Sequence, residues 1–525
     1  MNNCRYIILE SRSGDKVPAF FLQSGETKPL HSMIDPEKEA SRLVSSIKEN
    51  LGFAVFLGLG GGFAPQKALE ETDAKVLVID FNIKELVSLI NYKSLFSNER
   101  FTLLEDPSCE EIIKIITEQY NPHLCGNLKI IPLRTRTDLN PPLFETAATA
   151  VKEAVEIVSK DYSVQAHFGK RWFSNIIRNV KTAGSNKEIK INFSFSVKKT
   201  AIAAAGPSLD QQIQSLSEHG KNGFCIICTD TALPVLLHNG IKPDIVMSID
   251  CQHISLNHFF GCNLNGINMI FDIASPPMLP RLASSPYFIA SGHPLAQYLT
   301  AAWQPLPVLD ISGGNVTYAC LSLADYLGAE NITLFGADFS YIKSRTYAKG
   351  TYIYPFFENR QNRFSPLEAL SSAFLYRSPF LPAEDGSKNK NYYETSSLKF
   401  YRKKLEEKAS IMNAQITIAH GQGAKIVLTK KFKTAEKSKN SFFQITKEKN
   451  ISGIDFLEQY RKDIASLPEY SLNYINKLNN KEKQIFTTLL PGISALKHRN
   501  QQLKTQELIE KIKHHCIDEI EKVLN

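Results

Sequence analysis

Between residues 200 and 340 the chain repeats one pattern: a short apolar run stops at a small or acidic residue, and a helical stretch follows. The runs at 201–205, 224–228, 244–249, 269–271, 308–311 and 332–335 lead in turn into Gly206-Pro207-Ser208, Asp230, Asp250, Asp272, Ser312-Gly313-Gly314-Asn315 and Gly336-Ala337-Asp338. Unbroken apolar runs mark strands buried on both faces, and their alternation with helices makes them parallel. An open parallel sheet binds ligands beyond the carboxyl ends of its strands. The sequence therefore predicts an α/β chain whose glycines, hydroxyls and carboxylates line one sheet edge as a polar crevice suited to a phosphorylated ligand.

With 525 residues the chain exceeds what a single core serves, so two or three domains are expected. The pattern places a Rossmann-like domain at 1–165, a larger central α/β domain with a mainly parallel sheet at 166–430, and an α-helical region at 431–525. A composition of 43% hydrophobic and 22% charged residues excludes global disorder. The net charge of +8 suits anionic nucleotides, and no nucleic-acid partner is expected from it. Among nine cysteines, Cys225 and Cys228 form a C-x-x-C spacing inside a strand pattern, where residues three apart face opposite ways; they read as buried apolar residues, not zinc ligands. The amino terminus has no signal-peptide pattern, and no apolar run approaches the roughly 20 residues of a membrane helix, so a cytoplasmic protein without a membrane span is expected.

In the first domain a strand at 53–57 runs into Gly58-Leu59-Gly60-Gly61-Gly62 and a helix to residue 71, and a second strand at 75–79 ends in Asp80. A glycine-rich turn with an acidic residue about 20 positions on is a nucleotide-binding fingerprint. Gly58, Gly60, Gly62 and Asp80 thus form a weak alternative ligand site. The arrangement resembles the cofactor motif of class I S-adenosylmethionine methyltransferases, and Asn140-Pro141-Pro142-Leu143 resembles their catalytic motif with Leu in place of the aromatic residue. A structural Rossmann-like domain without cofactor is the preferred reading.

In the central domain Gly206-Pro207-Ser208 follows a strand and opens a helix, whose free N–H groups attract anions. It lacks the Gly-Lys-Ser/Thr of a Walker loop and reads as a cradle for phosphate. Ser312, Gly313 and Asn315 open the next helix by the same logic. Asp230, Asp250, Asp272 and Asp338 end strands, where a carboxylate can hold ribose hydroxyls, hold Mg²⁺, deprotonate an acceptor, or simply form a turn. Asp250 and Asp338 are the leading candidates. His293, in Ser291-Gly292-His293-Pro294, is a candidate general base or a structural histidine. The insert at about 341–401 is rich in aromatic and basic residues, including Tyr347, Lys349, Tyr352 and Tyr354, and reads as a cover over the crevice or as a locally packed excursion. A helix at 171–179 places Trp172, Ile176 and Asn179 on one face; the charged helices after 454 suggest bundle or oligomer contacts, a homo-oligomer included.

These residues resemble the Maf family of motility accessory factors, flagellin glycosylation proteins with an MptE-like domain. The resemblance rests on Arg171-Trp172-Phe173 with Asn175 and Asn179, Gly206-Pro207-Ser208-Leu209, Gly240-Ile241-Lys242-Pro243-Asp244 with Asp250, Gly313 with Ala319, Ala324 and Leu327-Gly328-Ala329, Gly336-Ala337-Asp338-Phe339, and Thr346 to Thr351. It covers 166–430, and the core is also similar to bacterial sialyltransferases. It departs at two places: the family's Gly-Gln-Asp-Leu is here Gly336-Ala337-Asp338-Phe339, and Tyr347 stands where a His precedes Ala348.

The resemblance implies transfer of a nonulosonic acid, of pseudaminic or legionaminic type, from a CMP-linked donor to Ser or Thr of flagellin. Gly206, Pro207, Ser208, Asp230, Asp250, Ser312, Gly313, Asn315 and Lys349 would bind the nucleotide sugar, and Asp338, His293 or Tyr347 would act on the acceptor hydroxyl, with Mg²⁺ as an optional aid. Three other readings compete: a Mg-ATP-dependent diphosphokinase resembling 6-hydroxymethylpterin diphosphokinase, a non-catalytic flagellin-binding factor, and, last, a methyltransferase at the amino-terminal glycine turn.

Overall fold

The computed structural model describes residues 5–21, 25–49, 51–89, 93–122, 126–183, 197–284, 286–342, 345–381, 392–429, 451–471 and 474–525. The lysine-rich stretch 430–449 and most of the polar stretch 181–190 lie outside them. The chain forms two compact units, one of residues 1–169, 468–479 and 491–512 and the other of residues 170–467, 480–490 and 513–525.

The first unit opens with an antiparallel meander of β1 (Arg5–Glu10), β2 (Lys16–Phe21) and β3 (Thr27–Pro29). A four-stranded sheet follows, with β4 (Leu51–Leu57) and β5 (Lys75–Asp80) at its centre, β6 (Phe101–Glu105) and β7 (Asn127–Pro132) at its edges, and every pairing parallel. All seven residues of β4 are buried, which explains its unbroken apolar sequence. Asn140 immediately precedes the helix Pro141–Ala183, so the Asn-Pro-Pro-Leu stretch starts a helix and does not end a strand.

The second unit holds a seven-stranded sheet of β8 (Lys199–Ala203), β9 (Cys225–Thr229), β10 (Ile245–Ser248), β11 (Asn268–Asp272), β12 (Pro286–Ile289), β13 (Asn331–Phe335) and β16 (Gln415–Ile418). Its order is β12-β11-β10-β9-β8-β13-β16, and all pairings are parallel. The chain builds outward from β8 in one direction, then returns to β8's other side with β13. The topological switch point, where such sheets bind ligands, is therefore the gap between β8 and β13. The helix Val316–Tyr326 packs across β8, β9 and β10, its Ala319, Cys320 and Ala324 fully buried against them. Residues 308–311, expected as a strand, make a single bridge from Val308 to Ala290. Val308 is exposed, and Asp310 turns back to accept from the Ser312 N–H and the Tyr318 hydroxyl, which ends any ladder there.

The insert between β13 and β16 carries the short antiparallel pair β14 (Tyr341–Ile342) and β15 (Tyr392–Tyr393), the helices Ile353–Glu358 and Leu367–Leu375, and the helix Ser396–Ile411. Phe380 stacks on Tyr393 at 4.7 Å, and the buried Arg402 pairs with the buried Glu394 at 3.1 Å. Tyr298, Phe456 and Tyr460 form an aromatic cluster that brings the helix Gly453–Ala465 into the second unit. No helix among the described residues is long and apolar enough to cross a membrane.

Candidate functional site

The amino-terminal glycine turn is filled by its own chain. Asp80 is fully buried; Oδ2 accepts from the Leu59 N–H at 2.7 Å, Oδ1 accepts from the Phe81 N–H at 2.7 Å and lies 3.0 Å from Arg136. Burial pushes its carboxyl pKa up, against the pull of Arg136 and the two N–H donors. His31 Nε2 accepts from the Gly61 N–H at 2.6 Å. A Cβ on Gly58 would meet Arg136 at 2.9 Å, and one on Gly60 would meet His31 at 2.4 Å. The glycines admit side chains of this protein where a nucleotide would lie. Gly58, Gly60 and Asp80 thus pack against Arg136 and His31 of this chain. S-adenosylmethionine at millimolar concentration is expected to leave the melting midpoint unmoved; a rise of several degrees would show that the turn binds it.

At the β8/β13 switch point the turn Gly206-Pro207-Ser208 meets Gly336 and Asp338. The Gly206 N–H donates to the Gly336 carbonyl at 2.9 Å, and the Ser208 N–H donates to Asp338 Oδ2 at 2.7 Å. The Ser208 hydroxyl accepts from the Gln422 N–H at 3.0 Å, and Gln212 ties Gly336 to the carbonyls of Ala419 and His420. Asp338, only 5% exposed, supplies the anion that this helix start attracts. Asp338 thus clamps three loops together, with its Oδ2 engaged by the Ser208 N–H. A Cβ on Gly206 would lie 2.4 Å from both the Asp338 carboxylate and the Gly336 carbonyl. Gly206→Ala should therefore destabilise the protein by about 1–3 kcal/mol, as overpacking against fixed backbone does; a midpoint equal to wild type in a thermal melt would contradict the clamp.

His293 is likewise a helix cap. Its Nδ1 accepts from the Leu295 N–H at 3.2 Å, its ring meets Trp172 edge-on at 4.9 Å, and burial pushes its pKa down to about 3. With Nδ1 accepting, the neutral ring carries its proton on Nε2, so it has no free lone pair with which to act as a base. Asp272, at the end of β11, is buried and its pKa is pushed up by burial to about 6, against the Ala274 N–H and Ser291 hydroxyl that favour its charge. A carboxyl raised on folding contributes stability below its ordinary pKa near 4 that is lost as pH rises through about 6. The loss amounts to about 3 kcal/mol. Asp272→Asn should remove this slope, narrowing the gap between midpoints measured at pH 5 and pH 8; an unaltered gap would refute the assignment.

The remaining candidates gather over β9 and β10. Asp230 is buried, with Oδ2 accepting from the Ser248 hydroxyl at 2.7 Å and Oδ1 from the Thr231 N–H at 2.7 Å. Asp250 is partly open, and its Oδ1 accepts from the Gln252 N–H at 2.9 Å. Burial, joined by the charge of Asp230, pushes the Asp250 carboxyl pKa up, while Gln252 and His258 oppose the rise. Tyrosines of the insert lie within electrostatic reach of this pair. Burial raises Tyr352, with Asp230 and Asp250 adding to the rise and Arg377 opposing it; burial also raises Tyr347, which feels Tyr352, Tyr341 and Asp230. Tyr401 senses Asp250 and presses on Gly314, where a Cβ would meet its ring at 2.9 Å. His258 packs edge-on against Tyr352 at 4.5 Å. Asp230, Asp250, Tyr347 and the Gly313–Gly314 turn are thus brought to one edge, with His258, Arg377, Tyr341 and Tyr401 joining them unforeseen. Asn315 caps its helix by accepting from the Tyr318 N–H at 2.9 Å, and Ser312 is exposed. Lys349 lies apart, beside Asp210 and Phe260 on a cavity of about 880 Å³.

The second unit carries an MptE-like domain. A family model described as 6-hydroxymethylpterin diphosphokinase MptE-like matches residues 170–344. An uncharacterised protein of Treponema pallidum (strain Nichols) is 31% identical over 170 residues, which span 32% of this chain and 79% of that protein. A second from the same organism is 33% identical over 145 residues, 27% of this chain and 51% of its own length. The solved structure of a Maf glycosyltransferase from Magnetospirillum magneticum AMB-1 superposes with a TM-score of 0.54 at 13% identity, over 100% of this chain and 91% of that one. The chain belongs to the MptE-like family and has the Maf-type fold.

Proposed function

We propose that this chain is a glycosyltransferase that moves a nonulosonic acid from a CMP-linked donor to a Ser or Thr of flagellin. The observation that carries the reading is the Asp250 crevice: a partly open carboxylate of raised pKa beneath tyrosines, in an MptE-like chain folded like a Maf glycosyltransferase. In the reaction the bond from the sugar's anomeric carbon to the phosphate oxygen breaks and the nucleotide leaves as CMP. The acceptor oxygen forms the new bond from the opposite face, and its proton passes to Asp250. A carboxylate whose pKa is raised toward the working pH is a better base than an ordinary surface one. Arg377 and the Tyr352 and Tyr401 hydroxyls supply donors for the departing phosphate, and the tyrosines exclude water from the competing hydrolysis. Asp230, both oxygens engaged, fixes the floor.

Among the described residues no three His, Cys, Asp or Glu side chains group as metal ligands. CMP is expected to raise the melting midpoint, by about 2.7 kcal/mol of added stability at a hundred times its Kd. A response to Mg-ATP without one to CMP would instead favour the diphosphokinase reading, which the family description keeps in view. Silence with both would favour a flagellin-binding factor. Intact-mass measurement of flagellin from cells lacking the gene tests the acceptor: an unchanged mass removes flagellin.

A further inference from the structure

Shortly after Asp250 the 3₁₀ helix His253–His258 packs against the one-turn helix Asp230–Ala232. Residues three apart stand one above another on a helix of this kind, so Ser255 and His258 share a face. His253 and Ile254 are exposed, whereas Ser255 is fully buried and His258 is only 8% exposed. Ser255 Oγ and His258 Nδ1 lie out of reach of solvent, and neither has a hydrogen-bond partner among the described residues. A buried polar atom without a partner lowers stability, and folded proteins keep few of them. Two on one face point to a shared cause.

His258 meets the Tyr352 ring edge-on at 4.5 Å and lies within electrostatic reach of Asp250. Tyr352 in turn feels both Asp230 and Asp250. The pair therefore belongs to the wall of the crevice that carries the two aspartates. An imidazole nitrogen and a hydroxyl can each donate or accept, and together they suit a group that does both. Two carboxylates within reach disfavour an anion at this wall, which turns the phosphate and the sugar's carboxylate away from it. A hydroxyl or an acylamino group fits.

We propose that Ser255 and His258 are specificity-determining residues that hold a hydroxyl or acylamino group of the transferred sugar. The inference rests on the glycosyl-transfer reading: Asp250, as the base for the acceptor hydroxyl, has to stand at the sugar's anomeric carbon and not at the nucleoside. The groups beside it therefore meet the sugar. Arg377 and the tyrosine hydroxyls remain for the phosphate, which fixes how the donor lies in the crevice.

The test is calorimetric titration of the full chain with CMP and, separately, with CMP-N-acetylneuraminate, whose sugar bears hydroxyl and acylamino groups. Wild type should bind the sugar donor more tightly than CMP. Ser255→Ala and His258→Phe should each weaken donor binding by about tenfold, the worth of one hydrogen bond, and leave CMP binding within about twofold. His258→Asn, whose amide can stand in for Nδ1, should recover part of the loss. Without ligand, Ser255→Ala should melt no lower than wild type, because it removes a hydroxyl that the free protein leaves unpaired. A Ser255→Ala protein that melts lower yet binds the donor as wild type does would make the hydroxyl structural and overturn the proposal. Equal loss for CMP and donor, or no loss for either, overturns it too, as does a wild type that binds the donor no more tightly than CMP. In those cases CMP still binds and the transfer reading stands; a wild type that binds neither ligand loses both.

Discussion

Asp250→Asn is expected to lower the rate of sugar transfer by about 10²- to 10⁴-fold, the range a positioned general base contributes. The substitution keeps the shape of the side chain and leaves an oxygen to accept from the Gln252 N–H, so the turn after β10 should hold. Because burial and Asp230 both disfavour the charged form, a neutral side chain should melt no lower than wild type near neutral pH. On the proposed reading CMP should still raise the melting midpoint. The wild-type rate should fall as pH drops through the raised pKa of Asp250, and the Asn variant should lose that limb. Discontinuous transfer assays with chromatographic separation of the sugar donor would measure this. A variant within about threefold of wild type would eliminate Asp250 as the base and transfer the question to Tyr347.

Asp80→Ala should produce the largest loss of stability in the amino-terminal unit, about 3–5 kcal/mol, because it strands Arg136 in the interior without its partner. Arg136 has nowhere else to go: its guanidinium also donates to the Phe81 carbonyl and lies over the rings of Phe20 and Phe144 at 5.4 Å each. Leu59 and Phe81 would lose the acceptor for their N–H groups at the same time. Replacing Asp80 and Arg136 together by apolar residues of similar volume should recover much of the loss, since removal of a whole buried pair is tolerated far better than removal of one member. Chemical denaturation with a probe in the first unit would measure both variants. A single variant as stable as wild type would mean that Asp80 is not what compensates Arg136, and would reopen the turn as a ligand site.

The parallel strands were legible because burial on both faces leaves an unmistakable run of apolar residues, as in β4, β8 and β9. The helical character of the tail and the return of a strand at β16 were legible for similar reasons. The amino-terminal meander was not, because Pro18 lies in the central strand β2, where a proline argues against a strand, and the edge strand β1 mixes Arg5 and Glu10 with its apolar residues. At the site, sequence found the strand-end groups but not what each does there. Whether an aspartate at a strand end faces solvent or a neighbouring N–H depends on a loop far away in sequence: Ser208 for Asp338, Arg136 for Asp80. Asp250 differs from Asp230 in its exposure and in how its neighbours engage it, with Ser248 closing the second oxygen of Asp230. Tyr401 and His258 sit in segments with no local motif, and only the fold brings them beside Asp250.

The segment whose tyrosines lie within reach of Asp250 leaves the sheet after β13 and rejoins it at β16, two strands that are neighbours at one end of the strand order. Its two roots are thus fixed by the ladder, while its length and side chains are constrained only by what they touch. An excursion rooted in this way can change in length or side chains without disturbing a single rung of the sheet beneath. On the proposed transfer reaction, this is the part of the fold where a new acceptor could be accommodated at constant architecture.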